Sequence, residues 1–176
     1  MKKVYSGVEI EVLQGDITKQ EDLVAIVNAA NSGLRGGGGV DGAIHRAAGP
    51  QLKEESGALA PISAGDAVIT GAYNLPNKYV IHCVGPVYRP DRPVADLLAN
   101  CYRNALKLAE RNKIESIGFP AISTGVYGYP MDEAAEVMFN TFQEVIPGLQ
   151  SVKKIRVILF DKRAWEIHLK KFEAIV

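Results

Sequence analysis

Cysteine, histidine and net charge are all scarce in this chain of 176 residues, and each shortage excludes a class of function. The two cysteines, Cys83 and Cys101, fall in an expected strand and an expected helix, without the paired spacing of a metal knuckle or a redox motif. Both read as buried thiols, and neither a metal site nor a cofactor is expected. Twenty basic residues balance twenty acidic ones, so no global field holds a polyanion, and a nucleic-acid partner is not expected. No segment approaches the roughly 18–20 apolar residues of a membrane span, and MKKVYSGVEIEV at the start has no apolar run of signal-peptide length. A cytoplasmic protein that does not engage membranes follows as the expectation. A hydrophobic content of 47% against 23% charged residues nevertheless supports a folded core. No repeat, low-complexity tract or linker divides the chain, so residues 1–176 are read as a single domain, expected to be a monomer.

What is present is alternation. Val8, Ile10 and Val12 interleave with Glu9 and Glu11, the period of a half-exposed strand over residues 8–13. Thr18 followed by Glu21 has the form of a capping box, predicting a short helix that ends around residues 23–27 and feeds a buried strand stopping at Asn28. Residues 28–39 then read as loop, 41–48 and 51–57 as helices broken at Gly49-Pro50, and 67–70 and 79–84 as strands. Val94, Leu97, Leu98, Cys101, Ala105 and Leu108 share one helical face. Beyond them come a strand at 116–119, a loop at 121–130, a helix at 132–145, a strand at 153–160 and a terminal helix capped by Asp161. Strands and helices in this order predict an α/β fold: a three-layer α/β/α sandwich whose mixed, mostly parallel sheet carries helices on both faces. Ligands of such sheets bind outside the carboxyl ends of the strands.

Two glycine-bearing loops follow strands directly. Gly37-Gly38-Gly39-Val40-Asp41-Gly42 formally satisfies G-x-G-x-x-G, but residues 28–35 separate it from the strand and a carboxylate sits inside it. Asp41 beside a pyrophosphate would be repelled by roughly 4 kcal/mol at about 4 Å and an effective dielectric of about 20. A Walker loop fails for want of Gly-Lys-Ser/Thr. Close approach of backbone to a compact polar ligand remains, with Asn31 and Asp41 offering an amide and a carboxylate. Turn formation by Asn28 and Asn31 and simple helix capping by Asp41 fit the residues equally well. The second loop, Ser123-Thr124-Gly125-Val126-Tyr127-Gly128, is the better phosphate site: two hydroxyls, successive N–H groups and no carboxylate before a helix. His45 lies along a helix and His82 within a strand, and neither has a recognisable partner, so structural roles are expected for both.

QGDIT at 14–18, VNAANSGLRGGGGVDGAIHRAAG at 27–49, LPNKYVIHCVGP at 75–86 and FPAISTGVYGYP at 119–130 together resemble the macrodomains. Within that family the chain looks like the MacroD-type ADP-ribosyl hydrolases. Cys83 stands where many relatives carry threonine, and LAPISAGDA is a looser match. The resemblance implies a cleft for ADP-ribose, with Asp16 and Ile17 at the adenine, Phe160 against its ring, and Ser123, Thr124, Gly125, Val126 and Tyr127 around the diphosphate and distal ribose. Asn28, Gly37, Gly38, Gly39 and Val40 would complete the ligand-binding wall, and Asn31 and Asp41 would be the catalytic pair. It further implies hydrolysis of ADP-ribosyl esters on Asp or Glu of modified proteins, and of O-acetyl-ADP-ribose, without a metal. Either Asp41 or a substrate phosphate would activate the water. A module that only binds ADP-ribose, or a DNA ADP-ribosyl glycohydrolase, are the alternatives.

Overall fold

The computed structural model describes residues 1–176. Along the chain lie β1 (Lys2–Tyr5), β2 (Val8–Gln14), β3 (Ala25–Ala30), α1 (Gly39–Ala48), α2 (Pro50–Gly57), β4 (Ala67–Gly71) and β5 (Tyr79–Val84). They are followed by α3 (Ala95–Arg111), β6 (Ser116–Phe119), α4 (Met131–Val145), β7 (Lys154–Leu159) and α5 (Lys162–Ile175). The strands form one seven-stranded sheet in the order β1-β2-β7-β6-β3-β5-β4. The two edge pairings, β1 with β2 and β4 with β5, are antiparallel, and the four inner ones are parallel. This is the expected mixed sandwich, and none of its helices is long and apolar enough to cross a membrane.

Strand alternation distributes the side chains between two layers. Ile26, Val80 and Ile158 pack with Ile44, Ala48 and Leu52 of α1 and α2 on one face. Val27, Ile81, Val157 and Leu159 face α3, α4 and α5 on the other. That second layer is the larger core, and Tyr102, Phe119 and Phe142 stack there with ring centroids 5.2–5.7 Å apart, within the range of favourable edge and tilted contacts.

Three local readings change. Residues 2–5 form a strand that the sequence reading left out. Ser6 and Gly7 have φ of +48° and +81°, positive at both central positions as a tight two-residue hairpin requires. Thr18 is not a helix cap. Asp16 occupies that place, its carboxylate accepting from the Thr18 amide, and the turn Ile17–Lys19 is too short to become an α-helix. No helix therefore precedes the next strand, and β3 runs two residues past Asn28 to Ala30, so the loop begins at residue 31.

Arg156 on β7 ties the 16–24 connection to the sheet. It lies opposite Glu11 of β2 and donates to Glu11 at 2.6 Å, to Gln20 at 2.9 Å and through both terminal nitrogens to Asp22 at 2.7 Å. The guanidinium is nearly buried, so these bonds satisfy a charge that would otherwise be stranded. They also hold the Asp22 carboxyl well below its ordinary value of 3.8, the Arg156 hydrogen bonds being the largest cause. A group with a depressed folded pKa stabilises fully above its unfolded value and loses that contribution as pH falls towards its folded one. Equilibrium denaturation should therefore show stability declining as pH drops below about 4. Asp22→Asn should be less stable at neutral pH and show a shallower acid decline.

Candidate functional site

The centre of the sheet opens at one end. β3 and β6 pair only through Ala25 and Ile26, with Ile117 and Gly118 as partners, and the chain leaves these strands in opposite directions: β3 towards β5, β6 towards β7. Such a reversal leaves a crevice at the carboxyl ends of the strands. A cavity of about 530 Å³ lies there. Its walls are Ala29 to Asn31 with Gly37 to Asp41, Gly85, Pro120 to Tyr127 with Met131, and Ile158 to Asp161 with Ala164.

At one end Asn31 and Asp41 converge across Gly37. A β-carbon at Gly37 would stand 3.1 Å from Asp41 Oδ2 and 3.4 Å from Asn31 Nδ2, tight enough to push one of them aside. Asn31 also does what a turn former does: Oδ1 accepts from the Gly33 amide and Nδ2 donates to the Gly36 carbonyl. One amide hydrogen remains for the cavity. Asp41 sits in the first turn of α1, only 5% exposed, and its Oδ1 accepts from Asn28 Nδ2 at 2.8 Å. Burial raises its pKa above the ordinary value, the Asn28 hydrogen bond and the nearby His45 opposing that shift. His45 Nε2 is 3.4 Å from Asp41 Oδ1, one turn along the helix, and burial lowers the imidazole's pKa. Asp41 Oδ2 makes no hydrogen bond within the protein, and it faces Gly37.

The loop at 123–128 forms the middle of the wall. Ser123 has φ +67° and donates its hydroxyl to the Pro86 carbonyl at 2.8 Å, so that hydroxyl is unavailable to a ligand, contrary to the sequence reading. The Ser123 carbonyl accepts from the Tyr129 amide and the Tyr127 carbonyl from the Tyr88 amide, closing the loop on itself and on the chain after β5. The N–H groups of Thr124, Gly125, Val126 and Tyr127 make no hydrogen bond within the protein. Val126 at the tip is fully exposed, and Phe160 beyond β7 is 78% exposed on the far wall, a cavity residue and not part of the core.

Three expected ligand-binding residues do not line this cavity. Asp16 and Ile17 follow the end of β2 beside β7, at the same sheet edge as Phe160, with Ile17 buried among Leu23 and Ile158. Asp16 Oδ1 is taken by the amide and hydroxyl of Thr18, at 2.9 and 2.6 Å, and the hydroxyl bond is the main cause of its lowered pKa. Asn28 is wholly buried behind Asp41: β3 runs through it, so its side chain points beneath α1 instead of into a loop. His82, expected to be without partners, has two: Asn28 Nδ2 at 3.2 Å and Thr70 Oγ1 at 2.9 Å. Gly85 and Thr70 were not singled out by sequence, and only the two-residue alternation of Asn28 with Ile26 and of His82 with Val80 hints at the grouping. No three His, Cys, Asp or Glu side chains converge as a metal site would need.

A family model described as Macro domain matches residues 27–138, the span that builds most of this cavity. The chain belongs to the macro domain family. An O-acetyl-ADP-ribose deacetylase of Klebsiella pneumoniae (strain 342) is 48% identical over 170 residues, covering 92% of this macro domain and 95% of the relative. The Oceanobacillus iheyensis macrodomain, solved with ADP, superposes with a TM-score of 0.94 at 42% identity, over 99% of this chain and 95% of that one. The Trypanosoma brucei macrodomain in complex with ADP-ribose gives 0.84 at 38% identity, over 93% of this chain and 68% of that one.

Gly85, just after β5, packs directly against the loop wall. A β-carbon there would collide with Ser123 Oγ, which its bond to Pro86 holds in place, and stand 2.6 Å from Cγ2 of the buried Ile122. Gly85→Ala is therefore expected to cost about 1–3 kcal/mol in urea denaturation, as overpacking does, whereas Gly125→Ala, with open space at its β position, should cost far less.

Proposed function

We propose that this macro domain binds ADP-ribose and hydrolyses esters at its distal ribose. The substrates are O-acetyl-ADP-ribose and proteins carrying mono-ADP-ribose on Asp or Glu. The observation that carries the proposal is the convergence of the Asp41 Oδ2 and the Asn31 amide at one end of a cavity whose middle presents four unpaired backbone N–H groups. A diphosphate suits those N–H groups, since donors already oriented by a closed loop need no reorganisation to meet an anion. Exposed Phe160 offers a flat apolar face to adenine at the other end, with Asp16 and Ile17 beside it. Similarity to the Klebsiella O-acetyl-ADP-ribose deacetylase and to the Trypanosoma brucei macrodomain in complex with ADP-ribose supports the same ligand.

In the reaction, Asn31 holds a ribose hydroxyl, contributing through position. Asp41 Oδ2 accepts a proton from water as the water's oxygen bonds to the ester carbonyl carbon. The carbon–oxygen bond to ribose then breaks, and the proton passes to the departing ribose oxygen, giving ADP-ribose and the free carboxylic acid. A carboxylate whose pKa is raised by burial is a stronger base than an exposed one.

Asp41→Ala is expected to keep ADP-ribose binding in calorimetric titration while turnover of O-acetyl-ADP-ribose and of a glutamate-linked substrate falls about 10²–10⁴-fold. Unchanged turnover would remove Asp41 from the chemistry and leave the substrate phosphate as the activator of water. ADP-ribose binding without cleavage by the wild-type chain would make it a binding module. Cleavage confined to ADP-ribosylated thymidine would make it a DNA glycohydrolase.

A further inference from the structure

Behind Asp41 lies a buried polar chain that the chemistry above does not touch. Asn28 on β3 and His82 on β5 are register partners, and Thr70 on β4 lies two pairs further along the neighbouring strand, opposite Val80. Asn28 and His82 have no exposed surface and Thr70 has 2%. All three project towards α1, on the face that Ile26 and Val80 share.

The hydrogen positions follow from the partners. Thr70 gives its single hydroxyl hydrogen to the Gly71 carbonyl at 2.9 Å, so its oxygen accepts from His82 Nε2 at 2.9 Å. His82 then carries its proton on Nε2, and its Nδ1 lone pair accepts one Asn28 amide hydrogen at 3.2 Å. The other Asn28 hydrogen goes to Asp41 Oδ1 at 2.8 Å. Turning the amide over would set its carbonyl oxygen against both a carboxylate and a lone pair. In the observed orientation Asn28 Oδ1 is left without a partner, a cost the site tolerates to keep both N–H groups directed.

We propose that His82, held in the Nε2–H tautomer by Thr70, is a positioning residue for the hydrolysis: it fixes the Asn28 amide, which occupies Asp41 Oδ1 and leaves Oδ2 to the cavity. The inference rests on the hydrolase reading of the site. Burial keeps His82 neutral, its pKa pushed down to about 3, so the chain does not rearrange at physiological pH. The other titratable group facing Asp41 is His45 on its own helix, itself influenced by Lys53 of α2.

The test compares steady-state hydrolysis of O-acetyl-ADP-ribose by the wild-type chain, Asp41→Ala, His82→Phe, Thr70→Val and Thr70→Ser, with melting temperatures confirming folding. Thr70→Val preserves shape, so it tests the role even where His82→Phe does not fold. Loss of the anchor should lower kcat roughly 10- to 100-fold, the rate equivalent of one hydrogen bond to a charged group, with KM little changed. Thr70→Ser should recover most of that loss. In ¹⁵N-labelled wild-type protein, the His82 ring should show Nε2 protonated and Nδ1 bare, and Thr70→Val should erase that preference. Wild-type kcat in Thr70→Val, or in a folded His82→Phe, beside an inactive Asp41→Ala, overturns the positioning role alone. A proton on Nδ1 overturns it too, and a wild-type rate in Asp41→Ala overturns both it and the reading of the site.

Discussion

The hydrogen bond from Asn28 to Asp41 joins the sheet to the first turn of α1, and the geometry of the cavity depends on it. A carboxylate this deeply buried is costly unless something donates to it. One oxygen is satisfied by an amide that the sheet itself orients. The other meets the cavity in the space left by the missing side chain of Gly37. The helix N-terminus adds a favourable field for the negative charge.

The sheet supplies the rest by topology. Reversal of chain direction between β3 and β6 brings the carboxylate at the start of α1 and an N–H-bearing loop to one crevice, and β7 adds an aromatic wall at its end. Separation of charge follows: the acid lies at one end and the unpaired amides at the centre, so an anionic ligand can bind without facing Asp41 directly. The glycines serve two distinct purposes. Gly37 lets two polar side chains meet, whereas Gly85 lets the neighbouring loop press against the end of β5.

Much of this was legible in the residues. Alternation along Val8–Val12 and the strand at 79–84 gave strand positions closely, because one-sided or full burial leaves a clear period. Repulsion of phosphate by Asp41, expected on charge alone, agrees with four free amides lying on the other loop. What stayed hidden depended on contacts between distant segments. Arg156 reads as an ordinary strand charge until Asp22 and Glu11 meet it, and His82 as an isolated imidazole until Asn28 and Thr70 arrive from adjacent strands. The first hairpin was missed because its turn, Ser6-Gly7, is a weaker signal than Asn-Gly, and Thr18 was misread because Asp16 competes for the same amide.

The central claim is that a buried, singly anchored Asp41 carboxylate takes the proton from water. The pH dependence of kcat for O-acetyl-ADP-ribose measures it most directly. A base must be ionised to act, and burial raises its pKa, so the rate should climb with pH along an acid limb whose midpoint lies above the 3.8 of an ordinary aspartate. A rate independent of pH on the acid side, or a midpoint at or below that value, would contradict it.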